Sequence, residues 1–178
     1  MMSVEDWASK IAAEVSPNET DFAPLWAEAF VQGGKARREL FAQTNAQASG
    51  FLPGALMPAL PVILKAIEVA GPPLLAMLTS DMTKLFLEAV KNALFVGEVF
   101  GKARSWFTAL DKQTVETTPA DKAVYAKLNE IMSKLDKEVR SLGLDQAKCD
   151  RINLTVLQLL LENPPDATQF VQKLTERK

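Results

Sequence analysis

The sequence contains no histidine, a single cysteine (Cys149) and a single tyrosine (Tyr125). Lack of histidine removes the commonest general base and the commonest zinc ligand together. One thiol can form neither an internal disulfide nor a thiolate metal site, and a catalytic cysteine would want a histidine partner. Cys149, between Lys148 and Asp150, is therefore read as a free reduced thiol. No glycine pattern cradles phosphate: Gly33-Gly34-Lys35 lacks the first glycine and the following Ser/Thr of that loop. A GxSxG elbow is also missing. No metal, no cofactor and no catalytic residue is expected, so the chain is read as non-enzymatic.

Charge of one sign is scarce too. The net charge of −2 offers no general attraction to a phosphate backbone, and clustered Lys and Arg are what such binding requires. The densest basic spot, Lys35, Arg37 and Arg38, is offset by Glu39 and reads as a solvated helix face. Nucleic acid is not an expected partner. The first residues carry Glu5 and Asp6 where a secretory signal would carry bases and an apolar run, so a cytoplasmic location is expected.

Long apolar runs are absent in the sense that matters for membranes. From Leu40 to Leu64 no residue is charged, but Gln43, Thr44, Asn45, Gln47 and Ser49 are polar. Pro53, Pro58 and Pro61 with Gly50 and Gly54 then interrupt the stretch. A spanning helix must satisfy its backbone internally, which that many breakers prevent. The next run, Val69 to Ser80, is short and broken at Gly71-Pro72-Pro73. No transmembrane segment is expected.

What is present is helical periodicity. Apolar residues make up 48% of the chain, enough for a packed core. Prolines and glycines cluster between positions 50 and 75, and long stretches elsewhere contain neither. The expected fold is all-α, one domain spanning 1–178, built as a bundle of six to seven helices with a Pro/Gly-rich apolar connector near residues 50–73.

Ser3 and Asp6 form a capping box before a helix over Val4 to Val15, whose apolar face is Val4, Trp7, Ile11 and Val15. Ser16-Pro17-Asn18 ends it. A second helix starts near Phe22, with Asp21 as cap and Pro24 in its first turn, and runs toward Phe41. Gly33-Gly34 within it marks either a bend or, the favoured reading, a close helix approach. The connector Gly50 to Pro61 contains a PxxP spacing, but its Leu, Met and Ala neighbours favour burial over display to a partner.

A third helix runs from Pro61 or Val62 to Ala70. After the break, either a short helix precedes a long one from Asp81 to Leu110, or a single bent helix covers both. The long helix is the most apolar element and is placed at the centre of the bundle or at an interface. Thr118 then caps a helix with Pro119 at its first position and Asp121 at its third. Its seam is Val124, Leu128, Ile131, Leu135, Val139 and Leu142, stopped by Gly143. Asp145 caps a helix over Gln146 to Glu162, Asn163-Pro164-Pro165 ends it, and Asp166 opens the last.

Carboxylate chemistry, or that of the single tyrosine Tyr125, is not excluded by composition. Glu68, Glu88 and Glu98 stand among apolar residues, where a buried acid would have a raised pKa. Lys84 and Lys91 at helical spacing from Glu88, and Lys102 from Glu98, favour a solvated stripe instead. The three tryptophans, Trp7, Trp26 and Trp106, read as core anchors.

Two functions are compatible with these features. The first is a non-catalytic helical module that binds a protein partner or itself. Its candidate surface is Phe86, Leu94, Phe95, Gly97, Phe100, Gly101, Trp106 and Phe107 on the long helix, where Gly97 and Gly101 share one face. The alternative is a carrier or surface coat for an apolar ligand such as a lipid, a pigment or a storage granule, using segment 51–110.

Overall fold

Ser3 opens the first helix, α1 (Val4–Val15): its hydroxyl accepts the Asp6 backbone N–H at 3.1 Å, while the Asp6 carboxylate accepts the Ser3 N–H at 3.0 Å. The structure, a computed structural model, describes residues 2–49, 58–100 and 118–176, with side chains except those of 43–49 and 98–100. α1 buries Val4, Trp7, Ala8, Ile11 and Ala12. Trp7 stacks on Phe170 with ring centroids 5.4 Å apart, and the Lys10 ammonium lies 5.4 Å from the Trp7 ring. That ring packing holds the indole, since Trp7 Nε1 has no acceptor among the described residues.

A 3-10 turn, Pro17–Phe22, leads into α2 (Ala23–Gln32), which has no side-chain cap; Asp21 does not serve as one. Gly33 (φ +72°) and Gly34 (φ +52°) then turn the chain into α3 (Gly34–Ser49). A Cβ on Gly34 would meet nothing within 4 Å, so the expected close approach is corrected to a bend that positive φ demands. α4 (Ala59–Val69) and α5 (Gly71–Leu78) meet at 73°. Pro72 and Pro73 fit the first turn of α5, where their missing N–H groups have no helical acceptor to lose.

α6 (Thr83–Phe100) is a separate helix, so the two-helix alternative holds. The expected extension to Leu110 lies outside the described residues. α7 (Pro119–Val139) begins at the Thr118 and Asp121 capping box, and Gly143 (φ +70°) stops it after a short 3-10 turn. Asp145 caps α8 (Gln146–Glu162), its carboxylate accepting the Lys148 N–H at 2.9 Å. α9 (Pro164–Thr175) starts directly at the two prolines, earlier than Asp166 suggested.

The architecture is all-α, with nine α-helices and no strand among the described residues. The excess over six to seven comes from the split at Gly33-Gly34 and the separate short α5. The centre is α4, which buries Leu60, Pro61, Val62, Ile63, Leu64, Ala66 and Ile67 and touches α1, α2, α5, α7 and α9. α6 lies against α8 and α7 and keeps one side in solvent, so of the two places expected for it, the bundle centre or an interface, the centre does not hold within Thr83–Phe100. No single described helix is long and apolar enough to cross a membrane.

Candidate functional site

The helical repeat divides α6 into two sides. Phe86, Ala89, Val90 and Ala93 point inward and are buried. Leu85, Glu88, Asn92 and Phe95, spaced three, four and three apart, share the outward stripe with Lys84 and Lys91 beside it. Phe95 keeps 66% of its surface exposed and Leu85 38%. Leu94, Val96 and Gly97 are half-buried, and only Val96 borders that face.

The structure thus separates the sequence-derived surface. Phe86, at 2% exposure, is core and offers nothing to a partner. Of the candidates described, Phe95 alone stands on the open face; Leu94 packs partly against the core at the side of the helix, and Gly97, seven after Val90 and four after Ala93, lies on the inward side. The side chain of Phe100, and all of Gly101, Trp106 and Phe107, lie outside the described residues. Leu85 and Asn92 belong to the same face and were missed, because ranking residues by size ignores their position around the helix.

Carboxylates found near apolar residues have ordinary explanations. Glu88 is exposed, as its lysine neighbours suggest, and the Glu98 side chain lies outside the described set. Glu68 is partly buried and pairs bidentately with Arg37: Nη1 donates to Oε1 at 2.8 Å and Nη2 donates to Oε2. The Arg37 guanidinium also lies 4.0 Å from the Phe30 ring centre. Lys35 pairs with Glu39 at 3.5 Å, and Arg38 Nε donates to the Gly34 carbonyl at 3.3 Å. Of the densest basic spot, Arg37 is thus turned inward, while Lys35 and Arg38 stay on the solvated face.

Two buried acids that sequence reasoning did not single out, Asp136 on α7 and Asp150 on α8, share one amide. Gln146 Nε2 donates to Asp136 Oδ1 at 3.1 Å and to Asp150 Oδ1 at 2.7 Å. Arg140 Nε donates to Asp136 Oδ2 at 2.6 Å, and its Nη2 donates to Gln146 Oε1. The signal was available: Asp136 stands four before Arg140, and Asp150 four after Gln146. This network ties the end of α7 to the start of α8, as a buried carboxylate requires donors.

Burial pushes the neighbouring Cys149 thiol up, with Asp136 and Asp150 adding to the effect, so it stays protonated and a poor nucleophile. Burial likewise raises the Tyr125 phenol, with Asp121 adding to it. Among the described residues no group of three or more Cys, Asp or Glu is placed to hold a metal ion.

The apolar stretch that motivated a carrier is, over its described part, core: Leu60, Val62, Ile63, Leu64, Ile67, Leu74, Met77 and Leu78 are buried against other helices. A cleft of about 250 Å³ opens elsewhere, lined by Val4, Glu5, Val31, Lys173 and Glu176. Three of those five side chains are charged, which suits no lipid or pigment. Comparison with known protein families, curated proteins and solved structures finds no match to this chain.

Proposed function

We propose that this chain is a non-catalytic helical module, cytoplasmic in setting, that associates with a second copy of itself through the outer face of α6. The observation that carries the reading is Phe95, the most exposed of the large apolar side chains described. A phenylalanine left in water forgoes roughly 1.5–3 kcal/mol of burial.

The pattern of the face favours a second copy as occupant. A two-fold axis needs pairs of residues with a common midpoint, because each contact must occur twice. Leu85 with Phe95 and Glu88 with Asn92 both centre on residue 90. Antiparallel pairing of two α6 helices then sets Leu85 against Phe95 of the second copy and the Glu88 carboxylate against the Asn92 amide. One helix face is a small interface, and losing translational freedom opposes it, so the association is weak and concentration-dependent.

Sedimentation velocity across about 10 µM to about 1 mM tests this, since that window brackets weak dimers. The expected result is a monomer that becomes a dimer, with Phe95→Ser remaining monomeric throughout. A wild-type chain monomeric at every concentration, or a dimer indifferent to Phe95→Ser, contradicts it.

A further inference from the structure

A different surface, formed by the 3-10 turn Pro17–Phe22 and helix α2, carries its own apolar patch. Phe22 is 54% exposed and Leu25 63% exposed. Phe22 stacks on Trp26 with ring centroids 5.6 Å apart and planes inclined by 19°. Trp26 is only partly buried, with its remaining surface packed on the core. An aromatic pair is thereby fixed on the outside of the molecule, anchored from beneath, with Leu25 beside it.

The charge around this patch has one sign. Pro17–Gln32 contains Glu19, Asp21 and Glu28 and neither lysine nor arginine. Glu19 is spent internally: its carboxylate accepts the backbone N–H groups of Ala59 at 2.7 Å and Leu60 at 2.8 Å, capping α4. Asp21 and Glu28 remain exposed, each within a helical turn of Leu25. Of the nearest cations along the chain, Lys10 and Arg37 face acids of other helices, and the exposed Lys35 and Arg38 lie past the bend at Gly33-Gly34. Lys10 lies 3.9 Å from Glu162, Lys35 pairs with Glu39, and Arg37 pairs with Glu68.

We infer that this patch is a docking surface for a basic, apolar segment of a different protein. Aromatic anchors ringed by charge are the usual anatomy of a binding hot spot, and the rim selects the sign of the partner. The same rim argues against other occupants. An anionic bilayer would be repelled by Asp21 and Glu28. A second copy placed two-fold on this face would set carboxylates against carboxylates. The inference stands on residues apart from α6, so it survives or fails independently of self-association.

The test is fluorescence anisotropy of the full chain with a labelled amphipathic peptide of Leu and Lys, a charge-reversed peptide of Leu and Glu, and phosphatidylglycerol vesicles. Binding of the Leu/Lys peptide is expected, weakening as salt screens the rim. Phe22→Ser/Leu25→Ser should weaken it by about tenfold. Asp21→Asn/Glu28→Gln should weaken it by about threefold and blunt its salt dependence. All four positions are exposed, so an unchanged Tm is expected alongside. Phe95→Ser should leave peptide binding unaltered. Equal binding of the Leu/Glu peptide, preference for the vesicles, or wild-type affinity in Phe22→Ser/Leu25→Ser would overturn the inference.

Discussion

Arg37 illustrates what a single residue can hide. It belongs to the densest basic spot in the chain, which reads as a solvated face. Yet Arg37 turns inward onto Glu68 and Phe30, joining α3 to α4 and α2. Nothing in local spacing reveals this, because Glu68 is thirty-one residues away. A planar fork makes both hydrogen bonds while lying over the ring, and an ammonium cannot reproduce that geometry. Arg37→Lys should therefore lose nearly as much stability as Arg37→Ala, about 1–3 kcal/mol in urea denaturation. Full stability in Arg37→Lys would show that charge alone matters there. Asp136 and Asp150 teach the complementary lesson. Their partners at helical spacing were legible, but burial depends on where α7 meets α8, which periodicity does not report.

Helix starts were the most legible elements, since a cap is a local hydrogen-bond pattern. Ser3 with Asp6, Thr118 with Asp121, and Asp145 all stand where the sequence places them. The Asp145 carboxyl is held below its ordinary range by the Lys148 backbone N–H, with Lys148 side-chain contact adding to it. A depressed folded pKa contributes stability above the unfolded value, and that contribution is lost as pH falls through the folded value. Urea midpoints should accordingly drop below about pH 4. Asp145→Asn, which caps without a titrating proton, should show a shallower acid limb than the wild type. An identical limb would show that the Asp145 cap contributes nothing to the acid transition.

Glycines were harder to read, because spacing does not distinguish a bend from a close approach. Gly33-Gly34 is a bend, whereas Gly71 is the approach: a Cβ there would strike the Thr175 methyl of α9. Gly71→Ala should cost about 1–3 kcal/mol. Thr175→Ser removes that methyl and keeps the hydroxyl that donates to the Val171 carbonyl, so it should recover most of the loss. Equal cost in both backgrounds would place the strain elsewhere.

At the scale of the molecule, the all-α class came from long breaker-free stretches, and the core came from their apolar seams. The centre, one of two places open to the long helix, is not where it stands within Thr83–Phe100. α6 looked most apolar by its large side chains, but α4 is the helix enclosed on nearly all sides, and its small and branched residues allow five neighbours around it. Residue size predicts a contribution to burial, not the place where helices converge. For the same reason the candidate surface was only partly legible: Phe95 is outward, Phe86 is not, and the candidates from Phe100 onward lie outside the described side chains.

Paired cysteines test self-association most directly. Glu88→Cys and Asn92→Cys chains, which keep Leu85 and Phe95, made separately and mixed under oxidising conditions, report which residues meet; Cys149 is buried and does not compete. A disulfide forms only where Cα atoms come within about 7 Å. Antiparallel pairing of α6 predicts the mixed product, position 88 of one chain joined to position 92 of the other, in excess over either like-with-like product. Predominance of a like-with-like bond, or no interchain bond at concentrations that allow weak dimers, would contradict it.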